Sequence, residues 1–360
     1  MRPGCRPLAT AVALLAIGAT LAACGEDRTD DGTDDGTRPG AWPAAEARVE
    51  TRGLVWAAGG TIHLGDGSTL DAGSPVRSFV VAEGGAYVVP DTASDEQPWP
   101  ELLRVTPDGS DRLGVHPEAD SLATSPDGRH LAFLDRSGER DGYDTPLAEA
   151  VVVDLTTGEE VLRSGAGMGD PATDDLTDLY EDATPYVIGV DDEHAWVHTV
   201  GDVRSVALGS GEVEVVEDDG GITDQPWYDA LRTELVADSP DGEWSIRPGP
   251  DGERWSAPQL VADDGRAVVT RLDGADLGFG PLDPAPRDVT WTLDSWLDAS
   301  TAVGSARVSA SVDGAETWVL VTCTVPDGAC RAVPGTEDGA LVPVDRQDGV
   351  LVPEPVEVTP

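Results

Sequence analysis

Lysine and asparagine are absent from all 360 residues, so every one of the 23 basic residues is arginine. Without lysine there is no Schiff-base amine and no P-loop cation, and without asparagine there is no N-glycosylation sequon. Positive charge is scarce as well: 23 Arg stand against 68 Asp plus Glu, a formal net charge of −45. Most of such a surface repels a phosphate polymer, which excludes nucleic acid as a partner. No serine has glycine two residues before and two after it, so the nucleophile elbow of an α/β hydrolase is missing. What remains is ordinary for a folded chain: 39% hydrophobic residues and 42 glycines.

The apolar run from Leu8 to Ala23 is too short to span a bilayer. With Arg2 and Arg6 before it, it reads as a signal peptide over residues 1–23. Its end, Leu21-Ala22-Ala23-Cys24, resembles the bacterial lipobox. That resemblance implies a lipid on Cys24, the membrane as a partner through that lipid, and a place on the extracytoplasmic side of the cell membrane. Residues 24–47, rich in Asp, Gly and Thr, repel themselves and bury little, so they read as a flexible acidic linker. The repeated Asp-Asp-Gly is no EF-hand: counted from Asp31, position three is Thr33 and position twelve is Trp42. Cys5 leaves with the signal peptide and Cys24 carries lipid, so Cys323 and Cys330 are left to pair across a hairpin.

Beyond the linker, no segment has convincing helical periodicity, and short β-branched runs alternate with Gly and Asp. Six of these runs end in tight turns: 61–64, 102–105, 151–155, 203–208, 259–262 and 318–323. The last turn glycines are Gly67, Gly109, Gly158, Gly211, Gly265 and Gly328, separated by 42, 49, 53, 54 and 63 residues. That interval is the length of a four-stranded propeller blade with added loops. A second set of hairpins lies between them, turning at Glu83-Gly84-Gly85, Ser125-Pro126-Asp127-Gly128, Asp191-Asp192, Ser239-Pro240-Asp241-Gly242 and near Asp298.

Ser125-Pro126-Asp127-Gly128-Arg129-His130-Leu131-Ala132-Phe133 resembles the repeat of the WD40-like propellers related to TolB, and Ser239-Pro240-Asp241-Gly242-Glu243-Trp244 is a second, poorer copy. The resemblance implies an all-β β-propeller of four-stranded antiparallel blades over residues 48–355, followed by a tail at 356–360. Six blades fit the repeats, with seven as the alternative count and a two-sheet sandwich as the alternative architecture. The first blade has an outer pair at 61–70 but no obvious inner strand. The terminal segments 340–344 and 349–352 are the candidates to complete it and close the ring.

In an up-down meander the tight turns fall on one face and the long connections on the other. The long connections 90–101, 135–148, 164–184, 217–232, 247–257 and 272–287 carry Trp99, Tyr143, Tyr180, Trp227, Tyr228 and Trp255 among acids. Aromatics on loops over a rigid scaffold suit a ligand-binding surface, although each ring has a second reading as a pin for its own loop. The acidic run 170–182 reads either as a solvated loop or as a collector of calcium; no other cofactor is expected and no resident metal site is assigned. His194 and His198 flank a strand, about 13 Å apart, which is too far for one metal. His63, His116 and His130 stand alone.

The expectation is a lipid-anchored extracytoplasmic binding or scaffold module, monomeric, without chemistry of its own. Its ligand would be a protein, peptide or glycan, cationic by complementarity to the acids. The alternatives are a hydrolase or lyase using carboxylates at the mouth of the central channel, and a purely structural or envelope-sensing module.

Overall fold

The computed structural model describes residues 42–45, 49, 53–92, 94, 98–216, 238–247, 249, 257–272, 288–309, 316–337 and 339–346. The chain divides between Arg38 and Pro39, and all described residues belong to the second unit. The signal peptide, Cys24, most of the linker, Gly349–Val352 and the tail 356–360 lie outside the described residues. No helix among the described residues is long and apolar enough to cross a membrane.

Among the described residues the chain is all-β, built from six small sheets, with one short α-helix. The first sheet is β1 (Trp56–Ala58), β2 (Thr61–His63) and β3 (Thr69–Asp71); the second is β4 (Val76–Ala82), β5 (Gly85–Pro90), β6 (Leu103–Thr106) and β7 (Gly109–Arg112). The third is β8 (Ala123–Thr124), β9 (His130–Asp135), β10 (Glu149–Asp154) and β11 (Glu159–Ser164). Helix α1 (Leu176–Asp182) precedes the fourth sheet, β12 (Tyr186–Val190), β13 (His194–His198), β14 (Val203–Ala207) and β15 (Val213–Val216). The fifth is β16 (Trp244–Arg247), β17 (Gln259–Ala262) and β18 (Ala267–Val269). The sixth joins β19 (Arg271–Leu272), β20 (Asp288–Trp291), β21 (Ser295–Asp298), β22 (Thr301–Ser309), β23 (Glu316–Thr324) and β24 (Ala329–Ala332). Sheets two to four are unbroken antiparallel meanders in chain order, the topology of propeller blades.

Neighbouring sheets bury their faces against one another. Ile62 and Leu70 of the first meet Phe79, Val81 and Val88 of the second. Val80, Tyr87 and Val89 meet Leu131, Phe133 and Val151 of the third, and Ala132 and Val152 meet Val190 and Val206 of the fourth. Trp244 and Leu260 of the fifth meet Ala302 and Cys323 of the sixth, and Leu320 of the sixth meets Trp56 of the first. The sixth sheet therefore returns to the first, which is the arrangement of a propeller. Stacking on both faces is why β5 and β9 are apolar along nearly their whole length, while the outer strand β7, Gly-Ser-Asp-Arg, is exposed throughout.

The six spaced glycines Gly67, Gly109, Gly158, Gly211, Gly265 and Gly328 all have positive φ, so the repeat in the sequence is a repeat of left-handed turn positions. Both Ser-Pro-Asp-Gly copies close in the same way. The Ser125 hydroxyl donates to Asp127 Oδ1 (2.7 Å) and accepts from His130 N (2.9 Å); that of Ser239 donates to Asp241 Oδ1 (2.6 Å) and accepts from Trp244 N (3.0 Å). The divergent turns keep an aspartate acceptor instead. Asp191 Oδ1 accepts from Glu193 N and His194 N, and Asp298 Oδ1 accepts from Ser300 N and Oγ. One chemical task is thus performed by three different sequences.

Four features depart from the sequence reading. The first sheet has an inner strand after all, β1, whose Trp-Ala-Ala lacks the β-branched signal. Ala57 exchanges two backbone hydrogen bonds with Leu341 (2.8 and 2.9 Å), so the 340–344 segment lies beside β1 as an isolated bridge at the remaining strand position. A helix exists: Asp175 caps α1 by accepting from Thr177 N and Asp178 N, and Leu176 and Tyr180 are buried beneath it. The sixth sheet is larger than a four-stranded blade, because β20 and β21 both pair with β22 and β19 adds in parallel to β24. Finally, Trp42 is only 5% exposed and packs on Phe133, so the folded unit begins before residue 48. Cys323 and Cys330 face each other on β23 and β24 and are joined by a disulfide.

Candidate functional site

Of the six aromatics on the long connections, Trp99, Tyr143 and Tyr180 are described; Trp227, Tyr228 and Trp255 lie outside the described residues. Trp99 follows β5, Tyr143 lies between β9 and β10, and Tyr180 is on α1 before β12, so all three occupy the long-connection end of sheets two to four. What joins two of them is an arginine the sequence did not single out. Arg136, at the end of β9, is buried with its guanidinium 4.4 Å from the Tyr180 ring centroid and 5.7 Å from that of Trp99.

Arg136 is also fixed from the side. Its Nε donates to Glu118 Oε1 (2.6 Å), its Nη2 donates to the same oxygen, and its Nη1 donates to the Pro146 carbonyl (3.1 Å). Burial pushes the Glu118 carboxyl above its ordinary value, and the Arg136 charge opposes that rise without cancelling it. Next to it, the fully buried Asp135 accepts from His116 N, Ser137 N, Ser137 Oγ and Arg163 Nη1 (2.6 Å). Arg163 also pairs with Glu149 and Glu160 at 3.0 Å.

The loops above this network are bonded to one another. Asp141 Oδ1 accepts from Tyr143 N and Thr145 N, and its Oδ2 accepts from Leu176 N at 2.7 Å, so one carboxylate ties the 137–146 loop to the start of α1. Burial pushes Asp141 up, but these three backbone N–H groups outweigh it and hold the carboxyl below its usual range. His116 Nδ1 lies 2.9 Å from the Trp99 carbonyl, and Glu101 accepts from Gly114 N and Arg112.

Tyr180 does not belong to the exposed surface expected of it. It is 8% exposed, and its hydroxyl donates to the Met168 carbonyl (2.8 Å) and accepts from Ala148 N (3.0 Å), so it pins its own loop. Trp99 is half-buried against Arg136, whereas Tyr143 is 72% exposed. Asp144, next to Tyr143, is exposed and paired with Arg140 at 3.4 Å, and Asp174, Asp178, Glu181 and Asp182 are exposed in the 170–182 segment, which meets the Tyr143 loop through Asp141–Leu176 and Thr145–Thr177. The acidic run 170–182 spends Asp174 and Asp175 on backbone N–H groups, and among the described residues no three His, Cys, Asp or Glu side chains converge on a point where a metal ion would sit. The sequence signal that could have revealed Arg136 is its position: in a chain this poor in positive charge, an arginine directly after an apolar strand has acids to meet.

No family model matches the chain, and no curated protein does. Solved structures give distant likenesses. A puromycin-hydrolyzing peptidase of Mycobacterium tuberculosis is 14% identical over 76% of this chain and 40% of its own, with a TM-score of 0.27. BamB of Moraxella catarrhalis is 9% identical over 82% of this chain and 89% of its own, with a TM-score of 0.23. A puromycin hydrolase is 14% identical over 83% of this chain and 48% of its own, with a TM-score of 0.22. The fold therefore rests on the strand order and the face-to-face packing of the sheets.

Proposed function

We propose that this protein is a lipid-anchored extracytoplasmic binding module that holds a cationic protein or peptide on the long-connection face of a propeller-like domain. The observation that carries this reading is the exposed Tyr143 beside Asp144, on a loop bonded to the acidic 170–182 segment and held, with its neighbours, through Asp141, Arg136 and Tyr180. Rigidity favours binding because a preorganised surface loses little entropy when it is covered. An exposed aromatic contributes contact area at low conformational cost, and surrounding carboxylates steer a positive partner toward it. The carboxylates held inside this region, Glu118, Asp135 and Asp141, serve as acceptors for arginine or backbone N–H, which supports a platform in preference to acid–base chemistry. Affinity capture from envelope extract tests the proposal, with the wild type compared to the double variant Trp99→Ala/Tyr143→Ala at low and high salt. A partner retained by the wild type, lost by the variant and weakened by salt supports it. Capture equal in both proteins sinks it.

A further inference from the structure

A continuous series of hydrogen bonds runs from Trp42 to the candidate binding face. At its first end Trp42 lies against the β10–β11 turn: a Cβ at Gly158, where φ is +73°, would stand 2.1 Å from the Trp42 carbonyl oxygen. The Trp42 ring packs on Phe133, and its Nε1 donates to Glu160 Oε1 at 3.0 Å. Glu160 in turn takes two prongs of Arg163, Nε on Oε2 and Nη2 on Oε1, each at 3.0 Å. That hold leaves Nη1 for the fully buried Asp135 (2.6 Å) and for Glu149 (3.0 Å). Asp135 Oδ1 accepts from His116 N, Arg136 N donates to the His116 carbonyl, and His116 Nδ1 meets the Trp99 carbonyl, all at 2.9 Å. His116 is thus clamped at its amide, its carbonyl and its ring. Because a carbonyl only accepts, Nδ1 carries a proton. Register explains the alignment. Asp135 pairs with Glu149, Arg163 with Val151 and Glu160 with Val153, so the four charged side chains share the face of the third sheet that carries Phe133.

We infer that Trp42 is a positioning residue for the long-connection face: through Glu160, Arg163 and Asp135 it fixes His116 and, with it, the backbone of Trp99. The inference rests on the proposed binding face for the part Trp99 plays in recognition, and it adds a residue outside that face that sets its geometry. The network needs Trp42 because its charges are unequal in number. One arginine serves three carboxylates, so the hydrogens it cannot supply come from the Trp42 indole and from the amides around Asp135. Burial pushes the Glu160 carboxyl up, and the hydrogen bonds from Arg163 and Trp42 outweigh that push and hold it below its ordinary value. Without the indole N–H, Glu160, whose side chain is 27% exposed, turns toward water and draws Arg163 after it. The Asp135 side chain, with no exposure, cannot follow. The loss therefore falls on its bond to Arg163 and on the His116 amide that it holds.

Amide hydrogen exchange on the full chain, read residue by residue by NMR, tests the series. Trp42→Phe keeps an aromatic ring beside Phe133 and removes the indole N–H. The His116 amide should then exchange about threefold or more faster, the size of effect that packed networks transmit, and the Trp99 indole signal should shift. The Leu320 amide on β23, which donates to Thr336 Oγ1, should keep its wild-type rate. In a Glu160→Gln background, where the series is already loosened at its middle, Trp42→Phe should add less than about twofold at His116. Unchanged exchange at His116, equal acceleration at Leu320, an unmoved Trp99 signal, or a full further gain in the Glu160→Gln background overturns the inference. These outcomes involve no ligand. Failure of the binding face itself shows separately, as equal capture by the wild type and Trp99→Ala/Tyr143→Ala.

Discussion

Replacing Arg136 by alanine should destabilise the domain by about 3–5 kcal/mol, the usual cost of removing one partner from a buried ion pair. The Arg136 side chain is 6% exposed and that of Glu118 is 16% exposed, so the carboxylate left behind has little water to turn to. The cost also has a pH signature. Glu118 is already raised by burial with Arg136 in place, so its ionised form opposes folding: stability is greatest below the ordinary carboxyl value and declines as pH rises through the folded one. Without Arg136 the rise is larger, and the deficit of the variant should grow with pH. Urea unfolding of wild type and Arg136→Ala at about pH 5 and about pH 8 measures both effects, read as a shift in midpoint at constant slope. Arg136→Met/Glu118→Gln, which removes both charges, should recover most of the loss. A deficit independent of pH, or no recovery in the double variant, would refute the reasoning and leave the arginine as mere filler between Trp99 and Tyr180.

Other parts of the account are open to equally direct checks. Ser125→Ala removes a buried hydroxyl that serves one turn as both donor and acceptor, so it should cost about 1–2 kcal/mol, with Ser239→Ala costing a similar amount; a neutral Ser125→Ala would show that the Ser-Pro-Asp-Gly turn closes without it. Cys323→Ser/Cys330→Ser opens a link between residues seven apart and should lower stability by about 2–3 kcal/mol, visible as a thermal midpoint below that of the wild type under oxidising conditions, a gap that closes when reductant opens the wild-type bond. Asp141→Ala should speed hydrogen exchange at the Leu176 amide. Because three backbone N–H groups hold that carboxyl low, the wild type should keep this protection until pH falls below the ordinary aspartate value; loss of protection already at neutral pH would contradict the assignment.

The turns were the legible part of this chain, because each needs a residue that few others can replace. Gly67, Gly109, Gly158, Gly211, Gly265 and Gly328 mark left-handed positions, and their spacing alone gave the rhythm of the sheets. What stayed hidden was set by tertiary contact. β1 carries Trp-Ala-Ala, which is a strand because β2 pairs along it on one side and Leu341, distant in sequence, bonds Ala57 on the other. α1 lies in a run of acids and shows too short an apolar stripe to register; its stability comes from the Asp175 cap and from Leu176 and Tyr180 buried under it. Trp42 looked like part of the flexible 24–47 linker, since nothing local reveals that Phe133 and Glu160 wait for it. The same limit applied to the site. Aromatics on long loops could be found by position, but which of them face water depended on Arg136 and Asp141, whose roles exist only once the loops are brought together.

The central claim is that recognition belongs to the long-connection face, and a charge-reversal comparison tests it most directly. Asp144→Arg/Asp178→Arg reverses two exposed acids, one beside Tyr143 and one on α1, and Asp108→Arg/Asp264→Arg changes the tight-turn face by the same amount. With partner capture measured side by side at fixed salt, the first variant should lose the partner and the second should retain it near the wild-type level. Retention by the first with loss by the second would contradict the account and move the site to the other face.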